Sequence, residues 1–335
     1  MNILISDYRE TLKRDLGYEI ELLQKELPGC QVDTYVYRDD SREEFLKILS
    51  ETDGLLTAFF HLGPDALNAA AGRLKCVSFN STGYNFIDLE QASAHNVLVC
   101  HIKEYCTQEV AEHTMALLLA LARDLKHYDH DTDGRNLWSY TTASDLIRLE
   151  GSTLSIFGFG KIGHAVATRA QVFGMRILVV DPYLPAEAAE KAGVTMTDKE
   201  TALREADFVS NHMAQTKENH SYFDEAAFRA MERHPAFINV SRGEAVDEAA
   251  LAKALDEKWI RSAGLDVLVS ESPDLVHHPL NHRENVILTP HAAFYSKTSI
   301  RELQRLSVMN LVYCLRGEKE KAFRCINKEC IQKNQ

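Results

Sequence analysis

The chain has 335 residues and is short of positive charge, long apolar runs and paired cysteine motifs. Lys and Arg number 37 against 49 Asp and Glu, a net charge of −12 with His neutral. A chain of that sign has no general attraction for phosphate backbones or anionic lipid, so neither a nucleic-acid partner nor a membrane is expected. The longest purely apolar run, Met115 to Ala122, is less than half of a bilayer span. The opening residues, Met1-Asn2-Ile3-Leu4-Ile5-Ser6, lack a basic region and meet Asp7 before a hydrophobic stretch can form. No signal peptide is expected, and the protein reads as soluble and cytoplasmic. Seven cysteines, at 30, 76, 100, 106, 314, 325 and 330, are scattered without a C-x-x-C and read as reduced thiols. Cys325 and Cys330 could hold a metal or cross-link, but two ligands do not make a zinc site, so no metal is expected.

What is present is ordinary globular material. Apolar residues make up 45% and charged residues 26%, which excludes wholesale disorder, and the length suits two domains. β-rich runs at Asn2–Ser6, Gln31–Tyr37, Gly54–Phe59, Cys76–Phe79 and Val97–Cys100 alternate with segments of helical apolar spacing such as Leu12, Leu16, Ile20, Leu23 and Leu27. Ser41 and Glu44 have the spacing of a capping box. A long helix is expected over about Thr107 to Tyr128. A second series of strands follows at Leu154–Phe157, Arg176–Val180, Phe208–Asn211, Phe237–Val240, Ser262–Val267 and Val286–Leu288, with a final helix from about Ser296 to Leu315. Repeated β-then-α units predict an α/β fold of parallel sheets with helices on both faces. Between the long helix and the second series, 129–150 is polar and irregular apart from Leu137, Trp138 and Tyr140, as arms and partner-contact loops often are.

The strongest local signal is Gly158-Phe159-Gly160-Lys161-Ile162-Gly163. A G-x-G-x-x-G alone is weak, but here an apolar strand precedes it and a helical pattern through Val166 and Ala170 follows. Gly158 makes the tight turn, Gly160 lets a pyrophosphate approach the backbone, and Gly163 packs helix on strand. Eighteen residues beyond Gly163, Asp181 ends the next strand. A carboxylate there accepts hydrogen bonds from the adenosine ribose hydroxyls and repels a 2′-phosphate, and neither Pro182 nor Tyr183 offsets that repulsion. The cofactor is therefore read as NAD rather than NADP.

Downstream, Asn239-Val240-Ser241-Arg242-Gly243 and Gly264-Leu265-Asp266-Val267 end successive strands, Glu271 follows, and Thr289-Pro290-His291 comes just after the Val286–Leu288 strand. Open α/β sheets place ligands at the carboxyl ends of their strands. An Arg, a carboxylate and a His at those ends suit reduction of a 2-oxo acid. The Arg can hold a carboxylate and polarise a keto oxygen, the His can donate a proton, and the Glu can orient the His. Taken singly, Arg242 reads equally as a surface ion-pair partner, Glu271 as solvated charge and His291 as a cap. The combination carries the reading.

The chain resembles the D-isomer-specific 2-hydroxyacid dehydrogenase family nearly end to end. The matching stretches are Ser81-Thr82-Gly83-Tyr84-Asn85-Phe86-Ile87-Asp88-Leu89, Tyr105 with Glu109-Val110-Ala111-Glu112-His113, Gly158–Gly163, Asn239–Gly243 with Val246-Asp247-Glu248, Gly264–Val267 and Pro290-His291. The resemblance implies a flavodoxin-like substrate-binding domain over 1–103 and 294–335, and an inserted Rossmann NAD-binding domain over 104–293 with 129–150 as the arm of a homodimer. It implies that Arg242 binds substrate, that Glu271 and His291 form the acid/base pair, and that Asp266 faces the nicotinamide. Backbone amides at Thr82 and Gly83 would hold the substrate carboxylate, with Tyr105 lining the pocket. Cofactor contacts fall on Gly158, Gly160, Lys161, Ile162, Gly163, Asp181, Met213, Asn219, Val240 and Asp266. Two motifs depart from the family's pattern: His-x-Pro is His212-Met213-Ala214 here, and Glu-Pro is Glu271-Ser272-Pro273.

Phe59-Phe60-His61-Leu62 carries no Lys or Arg, which disfavours a phosphorylated substrate such as 3-phosphoglycerate. Phe60, Tyr105, Phe294 and Tyr295 are candidates for an apolar pocket around an aliphatic or aromatic 2-oxo acid. Asp129-His130-Asp131-Thr132-Asp133-Gly134 copies the start of a calcium loop, but its twelfth position is Tyr140 instead of a bidentate Glu. His277, His278 and His282 read as solvated loop residues. The rival readings are an NAD(H)-responsive, non-enzymatic binding protein like the corepressors of this fold, and oxidation of a small acid such as phosphite or formate.

Overall fold

The computed structural model describes residues 1–143 and 145–329; Cys330 lies outside the described residues. The β-rich runs pair into two separate parallel sheets, and the chain divides with them. One unit is Met1–Tyr105 together with the chain from Ser296 on, and the other is Cys106–Tyr295.

In the first unit, β1 (Asn2–Asp7), β2 (Gln31–Val36), β3 (Gly54–Thr57), β4 (Cys76–Phe79) and β5 (Leu98–Cys100) lie in the order β2-β1-β3-β4-β5, all parallel. This is the flavodoxin-like order. The interior strands are apolar without alternation because helices cover both faces. The helix Lys297–Leu315 lays Val308, Leu311 and Val312 over Ile3, Ile5 and Leu56, while Phe45, Leu49, Phe60 and Leu67 fill the opposite side around Leu4 and Leu55.

In the second unit, β6 (Thr153–Phe157), β7 (Arg176–Val180), β8 (Thr195–Met196), β9 (Phe208–Asn211), β10 (Ala236–Asn239), β11 (Ser262–Leu265) and β12 (Val286–Leu288) are ordered β12-β11-β10-β9-β6-β7-β8, again all parallel. This is a Rossmann sheet with one extra strand, and its order reverses between β6 and β9, where such sheets bind dinucleotides. The helix Thr107–Ala122 packs on this sheet. A Cβ on Gly264 would come within 3.2 Å of Leu117 and Leu121, so glycine in β11 is what lets that helix sit close.

The structure differs from the sequence expectations in several places. The helix expected over Thr107 to Tyr128 stops at Ala122 and restarts as Leu125–Asp129, because Asp124 turns left-handed with φ +49°. No capping box forms at Ser41: its hydroxyl bonds the Arg38 carbonyl and lies 3.1 Å from the Tyr35 hydroxyl, and Glu44 is taken by Tyr35 as well. The two-residue strand β8 has too little sequence to signal itself. Finally, β3 ends at Thr57 instead of Phe59 and β11 at Leu265 instead of Val267. The calcium-like run is helical, with Asp131 buried against Arg135 and His127, so it forms no calcium loop. Among the described residues no helix is long and apolar enough to cross a membrane.

Candidate active site

The glycine loop leaves buried β6 and turns at Gly158, whose φ is +89°. A Cβ there would lie 2.7 Å from the Met213 amide nitrogen, and a Cβ on Gly163 would lie 2.3 Å from the Gly158 carbonyl oxygen. Both positions therefore require glycine for packing. Gly160 differs, because a Cβ on it would meet nothing within 4 Å. Open space at that position, at the N-cap of the helix Lys161–Val172, leaves backbone N–H groups accessible to an anion. Asp181 fixes the loop from the neighbouring strand: one carboxylate oxygen accepts from the Phe159 amide at 2.7 Å and the other from the Tyr183 amide at 2.8 Å. Each oxygen keeps a lone pair for a ribose hydroxyl. The loop and its carboxylate fit NAD.

Across the switch point, the segment after β9 is tied down from several sides. Asn211 accepts from the Met213 amide at 3.1 Å, and Ser241 donates to the Met213 carbonyl. Asn219 accepts from the Thr216 amide at 2.8 Å and donates to the Ala214 carbonyl at 2.6 Å. These bonds brace the segment where the family's proline is missing. His212 lies 2.9 Å from the Ser210 hydroxyl, and burial lowers its pKa to about 4, so the imidazole beside the glycine loop is neutral.

The candidate catalytic groups leave the C-terminal ends of three adjacent strands, β10, β11 and β12. After β10, Asn239 is buried and donates to the Arg242 carbonyl at 2.9 Å while accepting from the Ser241 amide at 3.2 Å. That shapes the turn and leaves the Arg242 side chain exposed, with its guanidinium on the Ser241 carbonyl at 2.7 Å. Gly243 is compressed against the loop after β11, where a Cβ would lie 2.0 Å from the Leu268 carbonyl oxygen. The Arg242 turn and the loop that carries Glu271 are thus in direct backbone contact.

Asp266, at 1% exposure, organises the residues around His291. Its carboxylate accepts from the Thr289 hydroxyl at 2.5 Å, the Ala292 amide at 2.8 Å and the Ala293 amide at 2.9 Å. His113 reaches the same Thr289 hydroxyl at 2.9 Å. These bonds hold His291 in a left-handed conformation, φ +51°, which a non-glycine residue adopts only when its surroundings impose it. Its Nδ1 lies 2.9 and 3.1 Å from the two Glu271 oxygens, and the Phe294 ring stands edge-on with its centroid 6.0 Å away. The extra Ser272 before the proline does not separate the His–Glu pair.

The first unit carries the other expected residues. Thr82 and Gly83 are exposed on the loop after β4, which the Ser81 hydroxyl closes by donating to the Gly83 carbonyl at 2.7 Å. Tyr105 packs beside Ile102, Leu303 and Leu306. Phe60 is a correction: it is fully buried, stacked on Tyr37 at 4.2 Å, so it fills core and lines no pocket. Phe59 is half exposed and faces Phe86. The loop does receive a cation from elsewhere, since Arg42 donates to the His61 carbonyl at 3.0 Å. Asp65 neutralises that guanidinium through two bonds of 2.7 and 2.8 Å. Sequence reasoning gave no role to Asn239 or to His113 and Thr289. All three sat within quoted stretches, but only the fold reveals what their side chains bond.

A Rossmann sheet whose glycine loop is open at Gly160, with the Asp181 carboxylate beside it and a His–Glu pair at its strand ends, fits the class of NAD-dependent oxidoreductases. Comparison with known proteins narrows the class. Residues 115–293 match the family model described as D-isomer specific 2-hydroxyacid dehydrogenase, NAD binding domain. The glyoxylate reductase of Korarchaeum cryptofilum is 33% identical over 305 residues, covering 90% of this chain and 88% of that protein. The chloroplastic D-3-phosphoglycerate dehydrogenase 2 of Arabidopsis thaliana is 36% identical over 77% of this chain, which spans only 41% of that longer protein. Among solved structures, D-lactate dehydrogenase from Treponema pallidum superposes with a TM-score of 0.82 at 26% identity, covering 96% of this chain and 99% of that one. The chain belongs to the D-isomer-specific 2-hydroxyacid dehydrogenase family.

Proposed function

We propose that the protein reduces a small, unphosphorylated 2-oxo acid to the D-2-hydroxy acid, reversibly, and that Arg242, Glu271 and His291 carry the chemistry. The observation that supports this most is the His291–Glu271 pair, 2.9 Å apart at its shorter contact, beside the Arg242 turn. NAD, when bound, supplies or accepts the hydride. With Nδ1–H directed at Glu271, His291 presents Nε2 to the substrate and moves the proton gained by the hydroxyl. Arg242 binds the substrate's carboxylate or keto oxygen and stabilises negative charge that develops there. Asp266 positions this set through Thr289, Ala292 and Ala293. In the first unit, the resemblance assigns the Thr82 and Gly83 amides and the Tyr105 ring to substrate binding. Neutralisation of Arg42 by Asp65 supports an unphosphorylated substrate. The 129–150 segment, with Trp138 and Tyr140 almost fully exposed, is assigned as the arm of a homodimer. Among the described residues Cys30, Cys76, Cys100, Cys314 and Cys325 form no disulfide, which suits a reducing, cytoplasmic compartment.

The test follows NADH oxidation with 2-oxo acids from glyoxylate to phenylpyruvate, using wild type and His291→Gln. Wild type is expected to turn over at least one of them, and the variant to lose about 10²-fold or more in kcat. Binding of NADH without turnover of any of these acids would instead favour an NAD(H)-responsive binding protein.

A further inference from the structure

Four cysteines distant in sequence meet inside the first unit. Cys76 opens β4 and Cys100 closes β5. Because Cys76 pairs with Leu98 and Ser78 with Cys100, strand alternation puts both thiols on one face of the sheet. The helix Lys297–Leu315 covers that face, tied by the Ser78 hydroxyl to the Ser307 carbonyl at 2.8 Å, and brings Cys314 down in its last turn. The chain then returns beside β5, with the Ile326 amide on the Val99 carbonyl at 2.9 Å and Asn327 accepting from the Val99 amide at 2.9 Å. That return sets Cys325 opposite Cys100 in an antiparallel bridge.

The Sγ atoms of Cys76, Cys100 and Cys314 all lie within 4.8 Å of one another, and Cys100 and Cys314 are 3.4 Å apart. Cys325, bridged to Cys100 through the backbone, is the fourth cysteine beside them, with its Sγ 4.0 Å from Asn327 Oδ1. A tetrahedron with metal–sulfur arms of about 2.3 Å has edges of about 3.8 Å, the scale of the separations within this three-thiol group, and Cys325 is the neighbouring thiol that can complete the shell. Buried cysteines one at a time are small apolar fillers. Four converging from two strands, a helix end and a returning strip make a closed, all-sulfur donor set, which selects soft cations over calcium or magnesium.

We propose that Cys76, Cys100, Cys314 and Cys325 form a structural site for a thiophilic d10 cation, with zinc as the ion. As each Zn–S bond forms, the ligating thiol releases its proton to solvent. The four-thiolate shell carries excess negative charge, and the positive charge of Lys319 acts on Cys314 in the compensating sense. The ion joins the early strands to the helix Lys297–Leu315 and the returning strip, stapling parts of one unit that are far apart in sequence. It is separate from the hydride chemistry.

The test uses the full chain, dialysed under reducing conditions against buffered zinc, with metal content read by mass spectrometry and the cysteines by alkylation. Wild type is expected to retain about one zinc per chain, with its cluster thiols protected until a strong chelator is added. Cobalt exchange should give the intense thiolate charge-transfer absorption of a tetrahedral sulfur site. Cys76→Val and Cys314→Val should lose the metal, while Cys30→Val, outside the cluster, should keep it. Folded wild type that holds no zinc, or whose four thiols alkylate equally fast with and without it, overturns the proposal. So does zinc retention unchanged in Cys314→Val, or a Cys100–Cys314 cross-link in protein that takes up no metal. If the valine variants fail to fold, the alkylation comparison on wild type decides alone.

Discussion

Single residues here are held in states that their free chemistry disfavours. Asp7, at the end of β1, is 1% exposed, and only one of its carboxylate oxygens receives a partner, the Tyr8 amide at 2.8 Å. Burial raises its pKa to about 6. The folded chain therefore prefers the protonated acid, so this residue's contribution is favourable below about pH 4 and is lost as pH rises through about 6. Asp7→Asn should stabilise the protein at pH 7 by up to about 3 kcal/mol, with the gain shrinking toward zero as pH falls to 4. Urea unfolding of both proteins across that range checks it, and a gain independent of pH would refute the burial argument. His291 is the converse case. Its left-handed backbone is imposed by Asp266, and nothing local in Thr289-Pro290-His291 announces it.

At the scale of elements, what the sequence made legible was what repeats. Apolar runs such as Leu154–Phe157 and Arg176–Val180 located the strands, and the glycine loop was recognisable from the strand before it and the helix after it. What stayed hidden depends on tertiary partners. Asp124 breaks a helix through a left-handed turn that its periodicity does not mark. Phe60 reads as a pocket residue in a loop beside Phe59, yet faces Tyr37 and Phe45 in the core. The cysteine cluster joins positions 76, 100, 314 and 325, separations that match no motif. Gly243 stands between these cases: the motif named it, while the reason lies in the neighbouring loop. Gly243→Ala should push the Arg242 turn away from the loop bearing Glu271. The expected outcome is a loss of more than about tenfold in kcat/KM together with about 1–3 kcal/mol of stability, read by steady-state kinetics and thermal unfolding. An alanine variant with wild-type values would show that the two backbones separate at no cost.

For the whole molecule, the proposed dimer turns on the 129–150 segment, where Trp138 is 93% and Tyr140 85% exposed. Side chains that large are rarely left wholly in water without a partner to cover them. Trp138→Glu should weaken self-association by about tenfold or more, and sedimentation at several concentrations would show it. An unchanged dimer would place the interface elsewhere, and a monomeric wild type would remove the arm's assigned role. The interruption of the first unit by the second also has a consequence for how the protein is made. The apolar face that Ile3, Ile5 and Leu56 present is covered by the helix Lys297–Leu315, which leaves the ribosome only after residues 106–295 have been made. The inner unit, continuous from Cys106 to Tyr295, can complete its sheet while the first is still missing its cover. The outer unit begins first and finishes last. A nascent chain paused before Ser296 should thus be the species most in need of a chaperone.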